Sequence, residues 1–249
     1  MAIIDVHAEI GTTPVWGVPF TDANLKRRMQ KHGIDRAVVS STIGTTCDFV
    51  RGNAQVARVV AANDSLLGCV VANINYPEKS QEDMHKYLSD DRFAALLLTS
   101  GVRERPVTLK EADEILNAHR RFTKPVYLDT FDKESVLAAA EIAEAFSGMK
   151  VVMLSMGGDD WRMATVLAER QLNLVLEVSG SFSPDKIQFA VEHIGSHRMV
   201  YGSNLPYVDS SAVIGLVQDA DISDQDKRGI FEGSAHRLFG WKRPVRSPS

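Results

Sequence analysis

The chain has 249 residues, 44% hydrophobic and 24% charged, with 28 Lys and Arg against 32 Asp and Glu for a formal net charge of −4. This is the composition of a soluble globular protein with material for one large α/β domain or two small ones, and its mild negative balance gives no reason to expect nucleic acid or an acidic membrane as partner. No apolar run reaches the roughly 18 residues of a membrane span, the N-terminus lacks the pattern of a signal peptide, and Cys47 and Cys69 form neither a disulfide framework nor a metal-ligand spacing, so they read as free thiols in a reducing cytoplasm.

Residues 2–11 alternate, with Ile4, Val6, Ala8 and Ile10 on one side and Ile3, Asp5, His7 and Glu9 on the other. Period two predicts a strand with its apolar side against helices. Three ionisable groups in a row do not suit an ordinary core strand, so they point to a site at its C-terminal end. A Pro- and Gly-containing loop covers 12–20, and Thr21-Asp22 opens a helix that stops at Gly33. Strands follow within 34–43, 67–73 and 93–99, with helices predicted over 48–63 and 80–89. Thr108 with Glu111 is a capping-box pattern for a helix to about 122.

The second half repeats the rhythm. Strands are predicted over 125–129, 150–155, 173–178 and 198–201. Helices are predicted over 133–146, to about 169, from Ser183-Pro184 with Pro at the tolerated first position, and from about 211 and 223. Residues 242–249 read as a frayed tail.

Eight strand–helix units in about 250 residues fit a single-domain (β/α)8 TIM barrel over residues 1–241. The open doubly wound alternative lacks its Gly-rich phosphate loop after the first strand. In a barrel the site lies at the C-terminal strand ends. That rule selects His7, Glu9, residues 40–42, Asn73, Asn75, Thr99, Asp129, Ser155, Glu177 and Asn204.

Several of these segments carry a family resemblance. Ile4-Asp5-Val6-His7-Ala8-Glu9-Ile10-Gly11 resembles the opening strand of the amidohydrolase superfamily. More narrowly, it resembles the amidohydrolase-related branch that includes aminocarboxymuconate-semialdehyde decarboxylase and the dicarboxylate lactonases. Ile34-Asp35-Arg36-Ala37-Val38-Val39, Met153-Leu154-Ser155-Met156-Gly157-Gly158, Arg198 through Pro206, and Arg237-Leu238-Phe239 resemble its second strand, sixth-strand turn, eighth strand and terminal helix. The resemblance implies a barrel enzyme on small molecules, commonly a homo-oligomer.

Against the family's metal ligands, only His7 transfers as the family residue itself. Glu9 stands at the second strand-one position, Asp129 at the strand-five His, Ser155 at the strand-six His and Asn204 at the strand-eight Asp. In the family that Asp typically serves as general base, which Asn cannot do. A base would then be His7, Glu9, Asp129 or Glu177. His7, Glu9 and Asp129 form a mixed N/O set for one divalent ion such as Zn or Mn, with Asn204 orienting the reacting group. The alternative is no metal, with the loss of imidazoles marking an abandoned site and His7 and the carboxylates acting directly.

Other residues have two readings. Arg103 could clamp a substrate carboxylate or pair with Glu104. Trp16 and Phe20 could wall a pocket or pack. Ser155 and Glu177 are candidates for binding substrate. Asp159-Asp160-Trp161 reads as a helix start. His32, His85, His119, His193 and His197 read as solvated or helix-end groups and His236 as structural.

Two functions follow. One is a cytoplasmic hydrolase, or decarboxylase-type lyase, acting on a carboxylated or cyclic organic compound, with His7, Glu9, Asp129 and Asn204 as catalytic candidates. The other is a catalytically degenerate barrel that binds a ligand or partner without turnover.

Overall fold

The computed structural model describes residues 1–13, 17–102 and 105–241. The chain runs β1 (Ile4–Thr12), β2 (Pro19–Phe20), α1 (Asp22–His32), β3 (Arg36–Ser41), α2 (Thr42–Thr46), α3 (Phe49–Ala61), β4 (Leu66–Asn73), α4 (Pro77–Tyr87), β5 (Phe93–Thr99) and α5 (Leu109–His119). It continues with β6 (Val126–Asp129), α6 (Lys133–Ala145), β7 (Val151–Leu154), α7 (Trp161–Arg170), β8 (Leu174–Glu177), α8 (Pro184–Ile194), β9 (Met199–Val200), α9 (Ser210–Asp219), α10 (Asp224–Arg228) and α11 (Ser234–Phe239).

The strand order is β2-β1-β3-β4-β5-β6-β7-β8-β9. Every pairing is parallel except β1 with the short arm β2. The last strand closes on the first. The Val6 amide donates to the Tyr201 carbonyl (2.9 Å), the Asn204 amide to His7 (2.9 Å) and the Glu9 amide to Leu205 (2.7 Å). The result is the expected eight-stranded parallel barrel, with β2 an addition that the loop over 12–20 concealed.

The alternation of β1 is interrupted. Its register against β3 shifts between Asp5 and Ala8, a bulge that turns side chains to the opposite face. Ile4 and Val6 therefore pack inside the barrel with Val38, Val71, Leu97, Val152 and Val200. Ile3, Ala8 and Ile10 join the layer between strands and helices. This corrects the single apolar face read from the sequence. Asp5, fully buried, accepts from the His7 amide (3.1 Å), the Ser203 amide (2.9 Å) and the Ser203 hydroxyl (2.5 Å). It fastens β1 to the segment after β9 and is not a mouth group.

Local signals account for most helix starts. The Thr108–Glu111 capping box forms, and Thr21 with Asn24 forms another. Helix α4 begins at Pro77 rather than at 80, because proline's fixed φ suits a first helical position. Ala235 and Leu238 of α11 join the interior cluster, with Phe239 and Trp241 packed on it. No helix among the described residues is long and apolar enough to cross a membrane.

Candidate active site at the barrel mouth

His7 is held by a residue 170 positions away in the chain. Its Nδ1 lies 3.2 Å from Oε2 of Glu177 at the end of β8. Glu177 is fully buried and bonded throughout. Oε2 also accepts from the Ser155 amide (3.0 Å) and the Ser179 hydroxyl (2.8 Å), and Oε1 from the Ser179 amide (2.7 Å). The carboxylate packs against Gly202, where a Cβ would stand 2.5 Å from Oε1. Burial pushes the His7 pKa down, but the hydrogen bond and charge of Glu177, then Asp129 and Glu9, outweigh it and raise the value to about 9. At neutral pH the ring is an imidazolium. With Nδ1 engaged, Nε2 is the nitrogen left to act on a bound molecule.

The C-terminal strand ends enclose a cavity of about 280 Å³ lined by His7, Glu9, Asp129, Ser155 and Asn204, together with Thr45, Thr99, Val102, Thr130, Phe131 and Tyr207. Glu9, on the same strand as His7, accepts from the Tyr207 hydroxyl at 3.1 Å. Asp129 is exposed at the end of β6. Asn204 has a φ of 52° and its amide donates to the His7 carbonyl, so its backbone is fixed by the strand it faces.

A left-handed turn shapes one wall. Ser155, Met156, Gly157 and Gly158 have φ of 59°, 55°, 84° and 57°. Gly158 is required there, since a Cβ would lie 2.4 Å from the Phe131 carbonyl oxygen. The Thr130 hydroxyl donates to the Leu154 carbonyl (2.5 Å) and accepts from the Gly157 amide (3.0 Å). These bonds tie the end of β6 to the turn after β7.

The candidates therefore divide. His7, Glu9, Thr99, Asp129, Ser155 and Asn204 share one cavity. Glu177 is not a wall of it. Its oxygens are consumed in holding His7, Ser155 and Ser179, so it positions His7 rather than lining the cavity. The Ser41 hydroxyl donates to Gln55, and in the turn after β4 the Asn75 side-chain amide donates to the Asn73 side chain and to the Ser100 carbonyl that follows β5. Trp16, Arg103 and the tail over 242–249 lie outside the described residues. Thr45, Val102, Thr130, Phe131 and Tyr207 also line the cavity and were not among the sequence candidates. Tyr207 follows directly on the turn after β9, and position after a strand end was the available signal.

The donor set does not fit a metal ion. Among the described residues no three His, Cys, Asp or Glu form a group that could hold one. His7, Glu9 and Asp129 line the cavity without coming together as such a group, the Glu177 oxygens are taken up by His7, Ser155 and Ser179, and Ser155 and Asn204 are neutral.

His119 is a correction of another kind. It is fully buried, and neither ring nitrogen has a hydrogen-bond partner among the described residues. Burial, with a smaller contribution from Lys124, lowers its pKa to about 4. It is a neutral, buried residue at the end of α5, so the helix-end reading holds and the solvated one does not.

A sequence model of the amidohydrolase family matches residues 14–241. A comparison with curated protein sequences gave no match. Among solved structures, a TIM-barrel protein from Bordetella bronchiseptica superposes with a TM-score of 0.80 at 15% identity, over 97% of this chain and 99% of its own. A dihydroxybenzoic acid decarboxylase from Polaromonas sp. JS666, with bound manganese and the inhibitor 2-nitroresorcinol, has a TM-score of 0.78 at 16% identity, over 98% of each chain. The 5-carboxyvanillate decarboxylase of Sphingomonas paucimobilis has a TM-score of 0.76 at 15% identity, over 96% of this chain and 99% of its own.

Proposed function

Because the chain belongs to the amidohydrolase family, we propose that it is a small-molecule enzyme, a hydrolase or decarboxylase-type lyase, acting on a carboxylated or cyclic organic compound at the barrel mouth. One observation carries this reading. Side chains from β1, β6 and the turns after β7 and β9 converge on a single cavity that holds an imidazolium beside carboxylates. Ionisable groups with perturbed titration in a cleft are a signature of acid–base work.

The chemistry proposed is metal-free. For a cyclic ester, the Asp129 carboxylate takes a proton from water and the resulting hydroxide oxygen adds to the carbonyl carbon. The ring C–O bond then breaks and the leaving oxygen takes the proton from Nε2 of His7. Glu177 holds the ring in place and favours its charged form. Glu9, anchored by Tyr207, and Asn204 position the substrate. The manganese bound in the Polaromonas decarboxylase is not transferred, because the donors here do not suit it.

The test is a panel of lactones and aromatic carboxylates. Acid release reports ring opening and CO2 release reports decarboxylation. Turnover of at least one class supports the proposal; none across both argues against it. A second reading is favoured by Asn204, which leaves the strand-eight position without a base. In it the mouth binds a ligand without turnover, and the same panel would then give saturable binding with no product. The proposal extends to a cytoplasmic homo-oligomer with small-molecule partners. The exposed Cys47 and buried Cys69, both free, support a reducing compartment, and light scattering reads the assembly.

A further inference from the structure

A second cavity, of about 290 Å³, lies on the barrel face opposite the mouth, between the loop from α5 to β6 and the loop from α6 to β7. Arg120, Lys124 and Lys150 line it together with the rings of Phe122 and Phe146, and no carboxylate is among its lining residues. Three cations around one concavity repel each other, so an anion placed among them is attracted by all three.

Each cation has capacity to spare. The Lys124 ammonium donates to the Asp90 carbonyl at 2.8 Å and to the Phe93 carbonyl, which uses two of its three protons. Asp91 and Asp90 are the acids whose charge acts on it, and Asp90 is already paired with Arg92. Arg120 lies 4.7 Å over the Phe146 ring, which orients its planar guanidinium. Neither Arg120 nor Lys150 forms an ion pair among the described residues. Phe146 is buried and Phe122 half-buried, so the cavity has an apolar floor under a cationic rim. Its volume is at the small end of ligand pockets, the size for one ring rather than a nucleotide.

We propose that this cavity binds a small aromatic carboxylate, with its carboxylate on Arg120 and Lys150 and its ring on Phe122. Arginine and carboxylate match in bidentate geometry, and the aromatic floor selects a flat apolar body. The site stands apart from the mouth and does not depend on what the mouth does.

Calorimetry with the full chain tests it, using benzoate, benzyl alcohol and inorganic phosphate as probes. Three proteins are compared: wild type, Arg120→Gln with Lys150→Gln, and His7→Gln with Asp129→Asn. The expected result is saturable benzoate binding of one equivalent in the His7 and Asp129 variant, retained in wild type beside whatever the mouth binds. It weakens about tenfold or more in the Arg120 and Lys150 variant, and benzyl alcohol binds at least as weakly. Both altered cations are exposed, so folding is not at stake. Three outcomes overturn the proposal: no saturable binding to wild type, binding lost only in the mouth variant, or phosphate binding as tightly as benzoate.

Discussion

Nδ1 of His7 lies 3.2 Å from Oε2 of Glu177, a carboxylate that also receives both the backbone amide and the hydroxyl of Ser179 and the amide of Ser155. The pair joins the first barrel strand to the end of β8 and fixes both the orientation and the charge of the imidazole. In Glu177→Gln the His7 pKa, raised to about 9 in the native chain, should fall by more than a unit, followed by NMR titration of the ring. The sign for stability follows. The folded value exceeds the unfolded one of 6.5, so the contribution is fully present below that pH. It is lost as pH rises through about 9, and the shift corresponds to roughly 3 kcal/mol.

Gly202 supplies the space for that carboxylate. A Cβ there would stand 2.5 Å from Oε1 and 2.7 Å from the carboxyl carbon of Glu177. Gly202→Ala should therefore displace Glu177, cost about 1–3 kcal/mol in denaturant unfolding, and lower turnover together with the His7 pKa. Full stability with a normal His7 titration would show that the neighbouring segment yields instead.

Tyr207→Phe isolates the anchoring of Glu9. It removes the 3.1 Å hydrogen bond and keeps the ring. The expected result is a change in KM or kcat of about tenfold, for roughly 1 kcal/mol or somewhat more of lost interaction, with Tm nearly unchanged because Tyr207 is only half-buried.

His119 predicts an acid sensitivity that has nothing to do with the mouth. Its folded pKa of about 4 lies below the unfolded 6.5, so the unfolded chain binds more protons between those values. The His119 contribution to stability then falls as pH drops from about 6.5 to about 4. His119→Leu removes the titration and two buried nitrogens that have no hydrogen-bond partner among the described residues. Relative to the native protein, its melting temperature should rise as pH drops through that window; Asp5, raised to about 6 by burial, acts in the opposite sense in both proteins and cancels in the comparison.

Much of this architecture was legible in the chain. Strand–helix alternation and punctuation such as Gly33, Thr108 with Glu111, and Ser183-Pro184 act locally, so they leave local traces. The strand-end rule then brought His7, Glu9, Asp129, Ser155 and Asn204 to one mouth. The bulge in β1 was not legible, because one extra residue in a strand changes no composition. Glu177 was picked out, but its role depends on contacts from three distant segments that no spacing reveals. His119 could have been placed correctly. It continues the 112, 115, 116 stripe of α5, where Ala112, Ile115 and Leu116 are all buried, and helical periodicity should have outweighed its polarity.

The donor set predicts independence from metal. Dialysis against a chelator should leave turnover unchanged, and elemental analysis should find well below one equivalent of Zn or Mn per chain. Stoichiometric metal lost in His7→Ala would contradict the metal-free account and restore His7, Glu9 and Asp129 as ligands.

The most direct measurement is turnover of the lactone and aromatic carboxylate panel by His7→Gln and Asp129→Asn beside the native protein, with Tm recorded for each. The account predicts that the native protein turns over at least one compound and that each variant loses at least about a hundredfold in kcat while staying folded. Variants that keep the native rate, or a native protein that binds panel compounds and converts none of them, would contradict it.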